Sequence, residues 1–128
     1  MVTLHIAGGK KMLHNAVFAA TEASKKSNIQ KPLLLGVTVL TSLNNKDLKE
    51  MGHTISITQS VENYSNIAKK AKLDGIVCSP LEVKLVKNMH GNTLKVITPG
   101  IRLKKSSNDD QSRFLSPKEA FNLSLIHI

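Results

Sequence analysis

The sequence predicts an α/β protein whose strands run parallel, and three observations carry that prediction. Short β-rich runs alternate with amphipathic helical stretches in the order β-α-β-α-α-β-α-β-loop-α. The second strand, Leu33-Leu34-Leu35-Gly36-Val37-Thr38-Val39-Leu40, is almost continuously apolar, which suits a strand buried on both faces. At least one helix separates each strand from the next, as right-handed parallel crossovers require. A (β/α) barrel and a doubly wound sheet both satisfy this order. No Gly-x-Gly-x-x-Gly follows a strand, which weighs against a dinucleotide-binding version of the second.

Val2 to Ile6 alternates apolar and polar residues and ends in Ala7-Gly8-Gly9, so it reads as a strand closing in a tight turn. His5, inside it, is expected to pack, with contact to a site at the strand's C-terminal end as the alternative. The glycine pair is read as a turn rather than a phosphate cradle, because no further motif accompanies it. Met12, Leu13, Ala16, Val17, Ala19, Ala20 and Ala23 recur at helical spacing over residues 10–26, with a stop at Ser27-Asn28. Pro32 opens the apolar second strand, and Thr41 and Ser42 stand where it emerges. Asn44 or Asn45 can cap a short helix through Leu48 and Met51 that Gly52 ends.

Val61 to Leu73 forms the next amphipathic pattern, with Val61, Tyr64, Ile67, Ala68 and Ala71 inward and Lys69, Lys70 and Lys72 outward. Asp74-Gly75 turns into the strand Ile76-Val77-Cys78-Ser79, and Pro80 begins a helix that runs to about Met89. Leu94-Lys95-Val96-Ile97 is the last strand. Ser116-Pro117-Lys118-Glu119 then carries a serine cap, an N-terminal proline and a glutamate in capping-box position. With parallel strands, Gly8-Gly9, Thr41-Ser42, Ser79 and Arg102 are expected at one face, the strand C-terminal end where barrels of this class carry their sites.

At 128 residues and 41% apolar content, the chain has the size and composition of one domain. No apolar run reaches the roughly 20 residues a membrane span needs, and the N-terminus lacks a signal-peptide layout, so a cytoplasmic, membrane-free protein is expected. Cys78 is the only cysteine, which excludes an intrachain disulfide, and its apolar neighbours predict a buried thiol. The net charge of +9 invites a nucleic-acid reading. Lysines spread along the chain and aromatics at 3% provide no stacking platform, so a solvated lysine-rich surface is the expectation. The five histidines have no metal-ligand spacing, and no nucleophile elbow or phosphate-loop lysine motif is present.

The stretch with the clearest functional chemistry is Leu94 to Gln111. A strand breaks at Thr98-Pro99-Gly100 and presents Arg102, one of only two arginines, on the loop that follows. A guanidinium and a carboxamide on such a loop suit an anionic ligand. His5-Ile6-Ala7-Gly8-Gly9, Leu35 through Ser42, Asp74 through Glu82, and Thr98-Pro99-Gly100-Ile101-Arg102 through Gln111 follow one another collinearly over about residues 2–121. Together they resemble the bacterial form of the orotidine 5′-phosphate decarboxylase family. The resemblance implies a partial (β/α)₈ barrel, roughly strands four to seven. It implies conversion of orotidine 5′-monophosphate to uridine 5′-monophosphate, with no metal or cofactor and with a homodimer in the complete enzyme. It assigns Thr41, with Ser42 beside it, to the pyrimidine ring, and Arg102 and Gln111 to the phosphate.

Two departures limit that assignment. The family's Asp-x-Lys-x-x-Asp motif, whose lysine protonates the developing carbanion, has no counterpart, since Asp47-Leu48-Lys49 has Gly52 at the sixth position and lies in a predicted helix. No catalytic residue is therefore assigned. The last strand with its Gly-Arg pair is also missing, and residues 122–128 do not resemble the family. The expectation is an internal piece of a barrel at 1–121 followed by a non-matching tail, inactive alone. A magnesium-dependent sugar-phosphate decarboxylase or synthase of the same barrel class, and a basic RNA-binding protein, are the alternative functions.

Overall fold

Four short strands stand side by side in the order in which the chain makes them. In the structure, a computed structural model that describes residues 1–99, 101 and 116–118, β1 is Val2–His5, β2 is Leu34–Val37, β3 is Gly75–Val77 and β4 is Lys95–Ile97. Between them lie α1 (Gly9–Lys26), α2 (Asn45–Glu50), α3 (Ile57–Lys70) and α4 (Val83–His90). The sheet order is β1-β2-β3-β4 and every neighbouring pair is parallel. A doubly wound sheet reverses its strand order at a switch point and carries helices on both faces. Here the order never reverses.

The helices share one face. Leu13 of α1, Val61 and Ala68 of α3, and Val83 and Val86 of α4 join Leu34, Ile76 and Val96 of the strands in a single buried cluster. Register explains which strand residues take part. Gly36 pairs with Ile76, and Ile76 with Val96, so these three positions share a face and their sequence neighbours point to the other. Thr3, Leu35, Gly75 and Lys95 form one row of that second face, and His5, Val37, Val77 and Ile97 the next. Helices on one face and side-chain layers on the other make the described sheet an open segment of a barrel wall.

β3 can sit this close to β4 because residue 75 has no side chain: a Cβ there would overlap the Lys95 carbonyl oxygen and lie 2.9 Å from the Lys95 Cβ. Both ends of β2 are pinned to β3. At the first, the Leu34 N–H donates to Asp74 Oδ2 at 2.8 Å while the Asp74 N–H donates to the Leu34 carbonyl at 2.9 Å. At the other, the Thr38 N–H and Oγ1 both donate to the Val77 carbonyl, at 3.0 and 2.8 Å.

Several boundaries differ from expectation. The apolar run of residues 33–40 yields a strand of only Leu34–Val37; Thr38 still bonds the Val77 carbonyl through its N–H and hydroxyl, and Leu40 begins a turn. α3 begins at Ile57 rather than Val61: Ser56 and Gln59 form a reciprocal capping box that adds a turn. It ends at Lys70 rather than Leu73, since Lys72 takes a left-handed φ of 60° and returns the Leu73 N–H to the Ala68 carbonyl at 3.1 Å. Pro80–Glu82 is a 3₁₀ turn preceding α4, not its first α turn. Pro117 and Lys118 are helical as predicted; residues 119–128, including the expected tail, lie outside the described set.

Two titratable groups couple this packing to pH. Burial raises the Asp74 pKa, but the Leu34 N–H, the Lys31 ammonium at 2.9 Å and the charge of Lys95 outweigh it and hold it below the ordinary 3.8. His90 of α4 is 6% exposed and packs on α3, its Nε2 lying 2.9 Å from Ser65 Oγ. That hydroxyl donates to the Glu62 carbonyl at 2.8 Å, so Nε2 carries the proton and donates, while buried Nδ1 has no hydrogen-bond partner among the described residues. Burial first, and then the Lys69 ammonium, lower the His90 pKa below 6.5.

Both depressed groups stabilise the fold above their unfolded pKa and lose that contribution as pH falls through the folded one. Their windows differ. Asp74→Asn should cost about 1–2 kcal/mol near neutral pH in urea titrations, discounted for partial exposure, and should flatten the acid loss below about pH 4. As pH falls below about 6.5 the parent chain should lose stability that His90→Gln does not, because the variant has no imidazole to charge.

Candidate functional site

Parallel strands deliver all their C-terminal ends to one side of the sheet, and the chemistry-bearing loops leave from there. Gly8-Gly9 follows β1, Thr41-Ser42 follows β2, and Ser79 follows β3, so these three expected site segments emerge at the same face. Arg102 and Gln111 lie outside the described residues, although Thr98 and Pro99, which lead towards them, leave β4 at that same end.

Local sequence accounts for how each segment turns. Gly9 has a φ of 83°, a conformation that side chains disfavour, so the glycine pair does serve as the turn into α1. The Leu43 N–H donates to the Leu40 carbonyl at 3.1 Å, which makes Thr41 and Ser42 the two central residues of a β-turn. Thr41 is 7% exposed, whereas Ser42 is exposed. Ser79 is fully buried. Its Oγ accepts from the Leu81 N–H at 3.2 Å, and the Glu82 carboxylate accepts from the Ser79 N–H at 2.9 Å, an N-terminal capping box for the turn that follows.

Asp47-Leu48-Lys49 is equally structural. Asp47 Oδ2 accepts from the Asn44 N–H at 2.7 Å, and Asn44 Oδ1 accepts from the N–H groups of Lys46 and Asp47 at 2.8 and 3.2 Å. This carboxylate caps α2. Asn45 instead accepts from the Ile57 N–H at 2.9 Å and ties the start of α3 to α2. Cys78 is buried, as its apolar neighbours predicted.

His5 departs from its expected packing. It is exposed at the end of β1 and lines a cleft of about 280 Å³ with Thr38, Leu40, Leu48, His53 and Tyr64. Neither Thr41 nor Ser42 lines this cleft. Spacing could not have found it, because β1, β2, α2 and α3 each bring one wall and only the crossovers bring them together. Among the described residues, no group of three or more His, Cys, Asp or Glu side chains is placed to hold a metal ion, and no helix is long and apolar enough to cross a membrane.

Comparison with known proteins decides the family: the model of the orotidine 5′-phosphate decarboxylase / HUMPS family matches residues 1–128. The chain belongs to that family. An orotidine 5′-phosphate decarboxylase of Saccharophagus degradans is 44% identical over 120 residues, 94% of this chain and 48% of the relative. One from Buchnera aphidicola subsp. Schizaphis graminum is 41% identical over 128 residues, 100% of this chain and 52% of the relative. The crystal structure of orotidine 5′-phosphate decarboxylase from Lactobacillus acidophilus superposes with a TM-score of 0.78 at 31% identity, covering 96% of this chain and 50% of that one. The chain thus spans about half the length of the curated relatives it matches. Membership agrees with the described sheet, four consecutive parallel strands with helices on one face.

Within this family segment, the Thr38 hydroxyl doubles the backbone bond that pins β2 to β3 at the strand C-terminal end. Thr38→Val should keep the Thr38 N–H bond and lose the Oγ1 bond, costing about 1 kcal/mol in denaturant titrations. Faster amide exchange at residues 38–42 is the accompanying readout.

Proposed function

We propose that the protein represented by this chain is an orotidine 5′-phosphate decarboxylase, converting orotidine 5′-monophosphate to uridine 5′-monophosphate and carbon dioxide in pyrimidine nucleotide synthesis. The carrying observation is that the Thr41-Ser42 turn and the Pro99 loop leave one end of a parallel sheet in a chain whose curated relatives bear that name. In this reading Thr41 and Ser42 offer hydroxyls to the pyrimidine ring. Arg102 holds the phosphate with its planar fork of donors, and Gln111 folds over it from the loop beyond. These residues bind and orient. The group that protonates the carbanion comes from outside this chain, so the 128 residues alone do not turn over substrate. The complete protein is read as a cytoplasmic homodimer that needs neither metal nor cofactor.

The alternatives have less support. A magnesium-dependent sugar-phosphate enzyme fits the broader family description, but the Thr98-Pro99-Gly100-Ile101-Arg102 and Asp109-Asp110-Gln111 segments resemble the nucleotide enzyme. The basic charge is carried mainly by scattered lysines, which leaves RNA binding without a defined surface.

The test places residues 1–121 into the Saccharophagus degradans relative in place of its matching segment. The chimera should decarboxylate orotidine 5′-monophosphate without added metal, and Arg102→Ala should raise KM by about tenfold or more through loss of a charge-assisted phosphate contact. The isolated chain should be inactive. Magnesium-dependent turnover of a sugar phosphate alone would select the synthase reading. Salt-dependent RNA binding that survives Arg102→Ala, without nucleotide turnover, would select the RNA-binding one.

A further inference from the structure

His90, the last residue of α4, is a buried titratable group for which the proposed chemistry has no use. It ties three elements together. Its ring meets Ser65 of α3 at 2.9 Å, and its carbonyl accepts from the Thr93 N–H at 3.1 Å and the Thr93 hydroxyl at 2.7 Å. Gly91, with a φ of 56°, closes α4 by donating its N–H to the Lys87 carbonyl at 2.7 Å. Leu94 then joins the buried cluster and β4 begins at Lys95. From Lys87 to Thr93, His90 is the one buried residue. Releasing that segment therefore uncovers little besides the imidazole.

The His90 contact is unequal on its two sides. Ser65 Oγ already donates to the Glu62 carbonyl, so withdrawal of the ring leaves that hydroxyl proton satisfied. The ring itself is poorly served. Its buried Nδ1 has no hydrogen-bond partner among the described residues, and a second proton would turn an orphaned acceptor into an orphaned donor on a cation. Charged neighbours do not compensate. On α3, the Lys69 ammonium repels a charged ring, and Glu62 meets the pair through its backbone carbonyl. In the turn before α4, the Glu82 carboxylate accepts from the Ser79 N–H, and Lys84 and Lys87 of α4 itself add only positive charge. The dipole of α4 favours a cation at this end. Burial and Lys69 prevail over it and lower the His90 pKa.

We propose that the His90–Ser65 contact is a pH-sensitive latch. With a neutral ring it closes the corner where α3, α4 and the approach to β4 meet; a second ring proton expels the imidazole to water and opens residues 87–93 while the sheet stays paired. The opening is local because β4 has its own anchor beyond the released segment, the Lys95 N–H on the Asp74 carbonyl at 3.2 Å. A loss of overall stability in acid does not by itself require this. A buried charge can unfold a whole sheet, whereas a mostly exposed segment held at one residue gives way first. The latch is independent of which reaction the complete protein catalyses.

The test is hydrogen exchange, read by mass spectrometry on the full 128-residue chain at about pH 7.5 and about pH 5 and corrected for intrinsic rate. Both values lie above the window of Asp74. Protection over residues 87–93 should fall about tenfold at the lower pH, and that of β2 and β3 by less than about twofold. His90→Gln should abolish the fall, because glutamine has no ring to charge. Lys69→Met keeps the ring, removes the repelling ammonium and should make the fall at least about twofold smaller. The same segments are read in the chimera carrying residues 1–121, so a variant that fails to fold alone still reports. Equal loss across the sheet, a fall that persists in His90→Gln, or protection indifferent to pH would each overturn the latch.

Discussion

The register of β2 against β3 is the constraint on which the rest of the molecule depends. Side chains alternate along a strand, so a slip of one residue would carry Leu34 and Ile76 out of the helix-covered core and put Leu35 and Val77 in their place. Strands of three and four residues hold too few ladder bonds to fix this by length. Fixation comes instead from both ends. Asp74 grips the Leu34 N–H at the start, and Thr38 doubles its bond to the Val77 carbonyl at the finish.

Those two pins lie on opposite faces of the fold and have different consequences. Asp74 sits where the strands begin, beside Lys31, on the side that serves stability in folds of this class. Thr38 sits where the strands end, one wall of the cleft shared with His5, His53 and Tyr64. The loop it anchors goes directly into the Thr41-Ser42 turn, so a backbone hydrogen bond in the sheet determines where two candidate ligand hydroxyls stand. Structure and function meet at that carbonyl.

The same register divides the molecule into a finished side and an unfinished one. Helices α1, α3 and α4 cover the outer face with a continuous apolar cluster, and Ser56 and Gln59 cap the start of α3. The opposite face carries Thr3, Leu35, Gly75 and Lys95 in one row across the four strands, with Thr3 and Lys95 exposed. The chain spans about half the length of the relatives it matches. A barrel wall gains its stability by closing, and four strands describe only an arc of it.

The sequence by itself determined the element order, the parallel α/β class and the family, because periodicity, turn chemistry and collinear motifs are local properties of the chain. It also placed Gly8-Gly9, Thr41-Ser42 and Ser79 at one face, since parallel strands leave no other choice. What it could not supply depends on distant partners. The doubled bond of Thr38 to the Val77 carbonyl depends on β3 lying alongside, and the assignment of Ser79 to capping follows from its meeting Leu81 and Glu82 in one turn. The cleft at His5, the unpartnered Nδ1 of His90 and the placement of Lys95 on the uncovered face were decided by tertiary structure alone. Each is set by which strand or helix lies alongside, and that neighbour is chosen by burial of apolar surface across the whole sheet rather than by any short stretch of sequence.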